Sequence, residues 1–357
     1  MQKTVAKINL KAIKDNARIF KDLTNVKLCA VVKANAYGHG AVETVNALEQ
    51  IADFFAVALI EEALEIRQAA CGKDVLVLTP PTNADEVRCF LGNPFIATVG
   101  DLSTAKLVER VARFSRKPIK VHLKVNTGMN RYGMGLKELG KVCTLFKGAE
   151  FVCVTGAFSH LYSGEIKTSL AQRELFVRAK NICERYFQGL TFHLSATYGC
   201  LLGEDFYFDA VRVGLGLYGY LPNGCELPLG VKSATDLRLK RAMSVYAKIV
   251  SSKKYSFGGL GYGKALSGQV EKGKKLHILR VGYADGFLRQ KQNGMDGVNE
   301  NASQLCMDAC VRFGKKLRGR YACVLSDADK TAAETGTIAY EVLCKATMRA
   351  SFDFLYE

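Results

Sequence analysis

Eight short apolar runs between Lys27 and Leu217, hardly alternating with polar residues, constrain this chain more than any other feature. They are Lys27–Lys33, Phe54–Leu59, Asp74–Thr79, Phe95–Gly100, Ile119–Asn126, Val152–His160, Leu190–Thr197 and Asp209–Leu217. A strand with one wet face alternates, whereas a strand covered on both faces reads as a continuous apolar stretch. Segments with helical spacing lie between the runs. Leu10, Ile13, Ala17 and Phe20 recur at three- and four-residue intervals, and Ile166, Leu170, Phe176, Ala179, Ile182 and Tyr186 mark a second apolar face. Eight such strand–helix units predict an α/β fold, a (β/α)8 TIM-type barrel over residues 1–228. An open doubly wound sheet carries the same signature, because a sequence does not record closure.

The pattern changes after Tyr220. Residues 221–230, LPNGCELPLG, concentrate Pro and Gly and read as a linker. Beyond it, Met243, Val245, Ala247 and Ile249 alternate, and further strand-like runs follow at Leu276–Val281, Cys306–Phe313, Tyr321–Leu325 and Thr337–Leu343. Helical signals are scarce there, so residues 229–357 are expected to form a mainly β C-terminal domain.

Composition narrows the partners. Of 357 residues, 48% are apolar and 24% charged, enough for a sizeable core and too apolar for global disorder. Lys and Arg number 50 and Asp and Glu 34, a net charge of +16. The basic residues are spread along the chain without a zinc-finger, homeodomain or RNA-recognition signature, so nucleic acid is not an expected partner. A basic surface and a potential that draws in carboxylates or phosphates both remain open. No apolar stretch reaches the length of a membrane span, and the N-terminus has no signal-peptide core, so a soluble cytoplasmic protein is expected. The 12 cysteines include no C-x-x-C pair, and Cys306 and Cys310 have no suitable His or Cys nearby. No metal site is therefore expected, and most thiols should be small buried hydrophobes.

Two motifs almost fit. Gly214-Leu-Gly216-Leu-Tyr-Gly219 satisfies G-x-G-x-x-G, but Leu221-Pro222-Asn223-Gly224 follows where a dinucleotide fingerprint needs a helix. The glycines still allow backbone N–H groups to approach an anion. Gly258-x-x-x-x-Gly263-Lys264 resembles a P-loop, but Ala265 lacks the hydroxyl that magnesium needs.

In a barrel, functional side chains sit at or just past the C-terminal ends of the strands. Lys33 follows the apolar run Leu28–Val32 directly. Desolvation there would lower its pKa and favour a nucleophilic amine; snorkelling to the rim is the bland reading, and the two stand even. Lys33 opens Lys33-Ala-Asn-Ala-Tyr37-Gly-His-Gly40. Further along come Lys124-Val-Asn-Thr-Gly-Met-Asn-Arg131-Tyr-Gly-Met, Phe158-Ser-His160, His193-Leu-Ser-Ala-Thr197 and Val211-Arg212-Val-Gly214-Leu215-Gly-Leu-Tyr-Gly219. The second part of the chain adds Gly261-Tyr262-Gly263, Gly282-Tyr283-Ala-Asp-Gly286, Cys306-Met307-Asp308 and Tyr340-Glu341-Val342. In this order and over nearly the whole chain, these segments resemble the bacterial alanine racemases. That family pairs a barrel binding pyridoxal phosphate (PLP) with a β domain in a homodimer.

The resemblance implies a role for each matched residue. Lys33 would carry PLP covalently and serve as the base on one face of the substrate's α-carbon. Tyr262 of the second subunit would serve the other, helped by a network including His160 and Arg212. Tyr37, Thr197, the backbone of Gly214 and Leu215, and Tyr340 would hold the phosphate. Arg131 and, from the second subunit, the backbone of Met307 would meet the substrate carboxylate, and Lys124 matches a lysine that is carbamylated in many members. Tyr283 and Arg289 would line the entrance. An arginine at the position of Arg212 leaves the pyridine nitrogen neutral, because it accepts no proton. That argues against the PLP decarboxylases, which share the architecture and place an acid there. A non-catalytic PLP carrier usually lacks the second domain. A serine or broader racemase is the remaining alternative, against which Tyr340 favours a small substrate such as alanine. The implied product, D-alanine, would serve peptidoglycan. Three positions depart from the common pattern: Asn126 for Asp, Ala196-Thr197 for Asn-Ser, and Gln304 for an entrance arginine.

Overall fold

A computed structural model of the chain describes residues 4–226, 233–257, 273, 275–288, 305–313 and 319–356. The chain divides into two compact units: a barrel unit, Ile13–Ala34 with Ala41–Lys240, and a sheet unit, Met1–Ala12 with Asn35–Gly40 and Arg241–Glu357.

The first strand, β1 (Thr4–Asn9), belongs to the sheet unit. The barrel is built from β2 (Lys27–Val31), β3 (Phe54–Val57), β4 (Val75–Val77), β5 (Phe95–Val99), β6 (Ile119–Lys124), β7 (Val152–Phe158), β8 (Thr191–His193) and β9 (Ala210–Val213). Each apolar run supplies one strand. Neighbours pair in parallel in the order β8-β7-β6-β5-β4-β3-β2-β9. The ring closes between β8 and β9 through a single bridge from Ala196 to Arg212, where the Arg212 N–H donates to Ser195 O at 2.9 Å. Every residue of β3 and β5 is buried, the two-sided covering that non-alternating runs imply.

Helices return the chain between strands. Asp101 caps the helix Leu102–Ser115 by accepting the Thr104 N–H, and Arg116 ends it at φ 50°. Ile13, Ala17 and Phe20 are fully buried, in line with their spacing. The helix Ile166–Glu184 differs from expectation. It buries Ser169, Gln172, Phe176, Ala179 and Cys183, while Leu170 is exposed. The buried face keeps the three–four spacing but includes polar residues, which an apolar search passes over. Residues 221–226 also do more than link: the Glu226 N–H donates to the Gly164 carbonyl at 2.8 Å, and its carboxylate accepts the Ile166 N–H at 2.9 Å.

In the sheet unit, β10 (Met243–Lys254), β11 (Lys275–Leu279), β12 (Cys310–Phe313), β13 (Tyr321–Leu325) and β14 (Ala350–Leu355) join β1. The order is β12-β11-β10-β1-β14, with β13 also on β10. Here β1 runs antiparallel to β10 and parallel to β14. Thr337–Leu343 is not a strand; a helix spans Ala339–Lys345, burying Ala339, Val342 and Leu343 at helical intervals. A second helix, Ala328–Thr335, starts at Asp327, whose side chain accepts from Asp329 N and Lys330 N. Short apolar runs do not separate strand from helix, and the cap is the signal that does. The cysteines are less buried than expected: Cys29, Cys143, Cys183, Cys200 and Cys310 are buried, the other seven partly or fully exposed. Among the described residues, no helix is long and apolar enough to cross a membrane.

Candidate active site

Because all eight strands are parallel, their C-terminal ends share one mouth, and the barrel-unit residues singled out above gather there. Lys33 follows β2, Lys124 ends β6, Arg131 lies in the loop beyond it, His160 follows β7, Thr197 follows β8, and Arg212 sits in β9 just before Gly214 and Leu215. Lys33 is half-buried. The chain after it does something unusual: Ala34, Asn35, Ala36 and Tyr37 have φ of 53°, 52°, 54° and 54°, a left-handed turn built without glycine. Such a conformation costs about 1–2 kcal/mol per residue. At its start, the Ala34 N–H donates to Glu62 Oε1 at 2.7 Å, while Glu62 Oε2 takes the N–H groups of Ala58 and Leu59 at 2.7 and 3.1 Å.

Arg212 is the anchor of the site. It is 3% exposed, with Phe158 5.2 Å from its guanidinium carbon. Its Nη1 donates to His193 Nδ1 and His193 O, both at 2.9 Å. Nη2 donates to Ser159 O at 2.7 Å and to Leu194 O at 3.1 Å, with His160 Nδ1 at 3.3 Å. A guanidinium has five N–H donors, so the terminal four are engaged and Nε–H has no acceptor among the described residues. Burial lowers the Arg212 pKa to about 10, which leaves it charged at neutral pH.

The imidazoles around Arg212 are held neutral. Burial first, then the Arg212 charge, keep His193 well below its usual range, and the same causes bring His122 down to about 3. For His160, burial is joined in turn by the charges of Arg212, Lys124, Arg131 and Lys33. Lys124 is buried, with its Nζ 4.7 Å over the Phe158 ring. Burial, then Arg212 and Arg131, push its pKa well down. Arg131 is exposed, on a loop that Asn126 organises by accepting the N–H groups of Gly128 and Asn130 at 2.9 and 3.2 Å.

Beyond β9, the chain forms a 3-10 turn, Leu215–Tyr218, rather than an α-helix. The first N–H groups of such a turn have no partner within it. Thr197 Oγ1 accepts the Gly216 N–H at 3.1 Å, and its own hydrogen has no acceptor among the described residues. The mouth therefore offers a hydroxyl, backbone N–H groups and one guanidinium N–H to a ligand rich in acceptors. Among the described residues no group of His, Cys, Asp and Glu is placed to hold a metal.

Tyr37 and Tyr340 belong to the sheet unit, where their ring centroids are 5.9 Å apart. Met307 is exposed, and its carbonyl accepts the Ala284 N–H at 3.0 Å. Tyr283 is 40% exposed. Tyr262, the P-loop-like stretch 258–264, Arg289 and Gln304 lie outside the described residues. Sequence reasoning missed three side chains. His193 lay inside a quoted motif without a role, His122 sits one alternation before Lys124 on β6, and Gln172 binds Thr127 Oγ1 and His160 O at 2.9 and 3.0 Å. For His122 the i, i+2 relation to Lys124 was the available signal.

Comparison with known proteins gives a consistent result. The family model for the alanine racemase N-terminal domain matches residues 8–222, and that for the alanine racemase C-terminal domain matches residues 242–353. Alanine racemase of Streptococcus uberis is 32% identical over 363 residues, covering 96% of this chain and 95% of its own. Among solved structures, an alanine racemase of Clostridium difficile 630 matches with a TM-score of 0.88 at 26% identity, covering 100% of this chain and 97% of its own. The biosynthetic alanine racemase from Pseudomonas aeruginosa matches with a TM-score of 0.84 at 27% identity, over 100% of both chains.

Proposed function

We propose that this chain, which belongs to the alanine racemase family, is an isomerase that interconverts L- and D-alanine with pyridoxal phosphate as cofactor. The observation that carries the reading is Arg212: four of its donors are tied to the protein and Nε–H alone is left for a ligand. That donor suits a ring nitrogen which must stay unprotonated, since arginine supplies a hydrogen bond and accepts no proton. Thr197 and the backbone N–H groups at Gly214 and Leu215 suit a phosphate. The donor set thus fits the cofactor.

When bound, pyridoxal phosphate acidifies the substrate's Cα–H by delocalising the charge left at that carbon. This chain's residues do the rest. Lys33 Nζ would hold the cofactor and would move a proton on one face of the α-carbon. Tyr262 of a second subunit moves a proton on the other face, so the working form is a homodimer with shared sites. Its phenol starts near pKa 10 and needs neighbouring positive charge to act as a base at neutral pH. Arg131 and the Met307 backbone of the second subunit would orient the substrate carboxylate, and the family resemblance adds Tyr37 and Tyr340 to the phosphate set. The neutral amine of Lys124 is the form that adds carbon dioxide, giving a carbamate that would fix Arg131. The product fits a cytoplasmic supply of D-alanine for peptidoglycan.

The test is loss of optical activity from L-alanine with purified protein and PLP, with L-serine alongside. Rapid loss with alanine alone is expected; none with either sinks the reading. Lys33→Ala should abolish cofactor attachment and activity. Tyr262→Phe should impair proton removal from one enantiomer far more than from the other, and equal retention of both would overturn the two-base assignment.

A further inference from the structure

The bonds that hold Arg212 continue beyond His193. His193 Nε2 lies 2.9 Å from Nδ1 of His122, a residue of β6 that is 2% exposed. The direction of this chain follows from one end. Arg212 only donates, so His193 Nδ1 accepts. A neutral imidazole with an accepting Nδ1 carries its proton on Nε2. His193 Nε2–H therefore donates to His122 Nδ1, and His122 carries its own proton on Nε2. The opposite tautomers would set a His193 N–H against an N–H of Arg212.

The strands are shaped around this contact. The pairing of β6 with β7 slips between Val121 and His122, so that Val121 faces Val154 and His122 faces Gly156. Such a bulge re-aims side chains. A Cβ on Gly156 would stand 2.6 Å from His122 Nε2, so glycine at 156 makes room for the ring. His193 is clamped in turn by Phe158, stacked at 5.0 Å with 5° between planes.

We propose that His122 is a positioning residue for Arg212. By accepting the His193 Nε2–H, it holds His193 in the tautomer that receives the guanidinium, and so keeps Arg212 oriented with Nε–H as the donor left for the cofactor. The inference deepens the racemase reading and rests on it for its effect on catalysis.

The test has two arms on the PLP-loaded protein. NMR of isotope-labelled histidine, simplified by only 5 histidines in the chain, reads which nitrogen carries each proton. His193 and His122 should both be protonated at Nε2; a proton on His193 Nδ1 overturns the proposal whether or not the protein racemises alanine. In the second arm, His122→Phe removes the acceptor and His122→Asn places an amide oxygen near the former Nδ1. A lost buried hydrogen bond of this kind should lower kcat about tenfold in the Phe variant with KM little changed, and Asn should recover most of it. A folded, loaded His122→Phe protein with wild-type kcat, or an Asn variant no better than Phe, refutes the positioning role. Absence of racemisation by the wild type sinks the functional reading, while the tautomer measurement still decides the hydrogen-bond chain.

Discussion

Lys124 illustrates how a buried position changes what a residue type can do. On a surface it would be a solvated cation; here it lies over Phe158 and feels the positive charges of Arg212 and Arg131. Desolvation and like charge both favour the neutral amine. Carbamylation would have that amine attack carbon dioxide through its lone pair and release one proton, turning a destabilised cation into an anion among cations. In labelled bicarbonate, carbon NMR should show a carbamate resonance that Lys124→Arg abolishes, because arginine keeps the charge without the nucleophilic amine. A spectrum identical in both proteins would remove the modification from the site. At this scale the sequence was legible where a residue broke a local pattern, as Lys33 does after five apolar neighbours. A single histidine inside a strand, such as His122, breaks no pattern.

At the scale of elements, the turn after β9 shows why a G-x-G-x-x-G match need not mean a dinucleotide site. Gly216 is packed so closely that a Cβ would come 2.4 Å from Phe20 Cε2, 2.5 Å from Phe20 Cζ and 3.0 Å from Thr197 Cγ2. Phe20 is fully buried and has little room to move. Gly216→Ala should therefore cost about 1–3 kcal/mol by overpacking, read as a lower denaturant midpoint at unchanged m-value. It should also weaken PLP affinity, since Thr197 bonds the Gly216 N–H. Stability within about 0.5 kcal/mol of wild type would contradict the packing argument. The glycine spacing was visible in the sequence; the reason for Gly216, a phenyl ring nearly two hundred positions earlier, was not.

At the scale of the whole molecule, the buried histidines tie the barrel's stability to pH. His122 and His193 are neutral when folded, with His122 lowered to about 3, whereas an unfolded histidine takes up a proton near pH 6.5. Their contribution is fully present above about pH 6.5 and is lost as pH falls towards the folded values. These two protons, bound only by the unfolded chain, contribute a slope of about 3 kcal/mol per pH unit around pH 5, and His160, lowered by burial and the Arg212 charge, adds to it. Denaturant unfolding of the barrel between pH 7 and pH 4.5 should show a steep loss, shallower in His122→Asn. A flat profile would show that these rings are protonated in the folded state.

What the sequence determined by itself was local. Two-sided burial leaves a continuous apolar run, so all eight barrel strands could be read from it, and the contiguous motifs around Lys33, Arg131 and Arg212 pointed to the family. The helices Ala328–Thr335 and Ala339–Lys345 escaped because seven or eight residues carry too few turns for a decisive period. Closure at β8–β9, the fit of Phe20 against Gly216, and the chain from His122 through His193 to Arg212 were decided by tertiary structure alone. His122 and His193 are 71 residues apart. A hydrogen bond needs two atoms within about 3 Å in one orientation, and only the closed barrel brings those strands into that register.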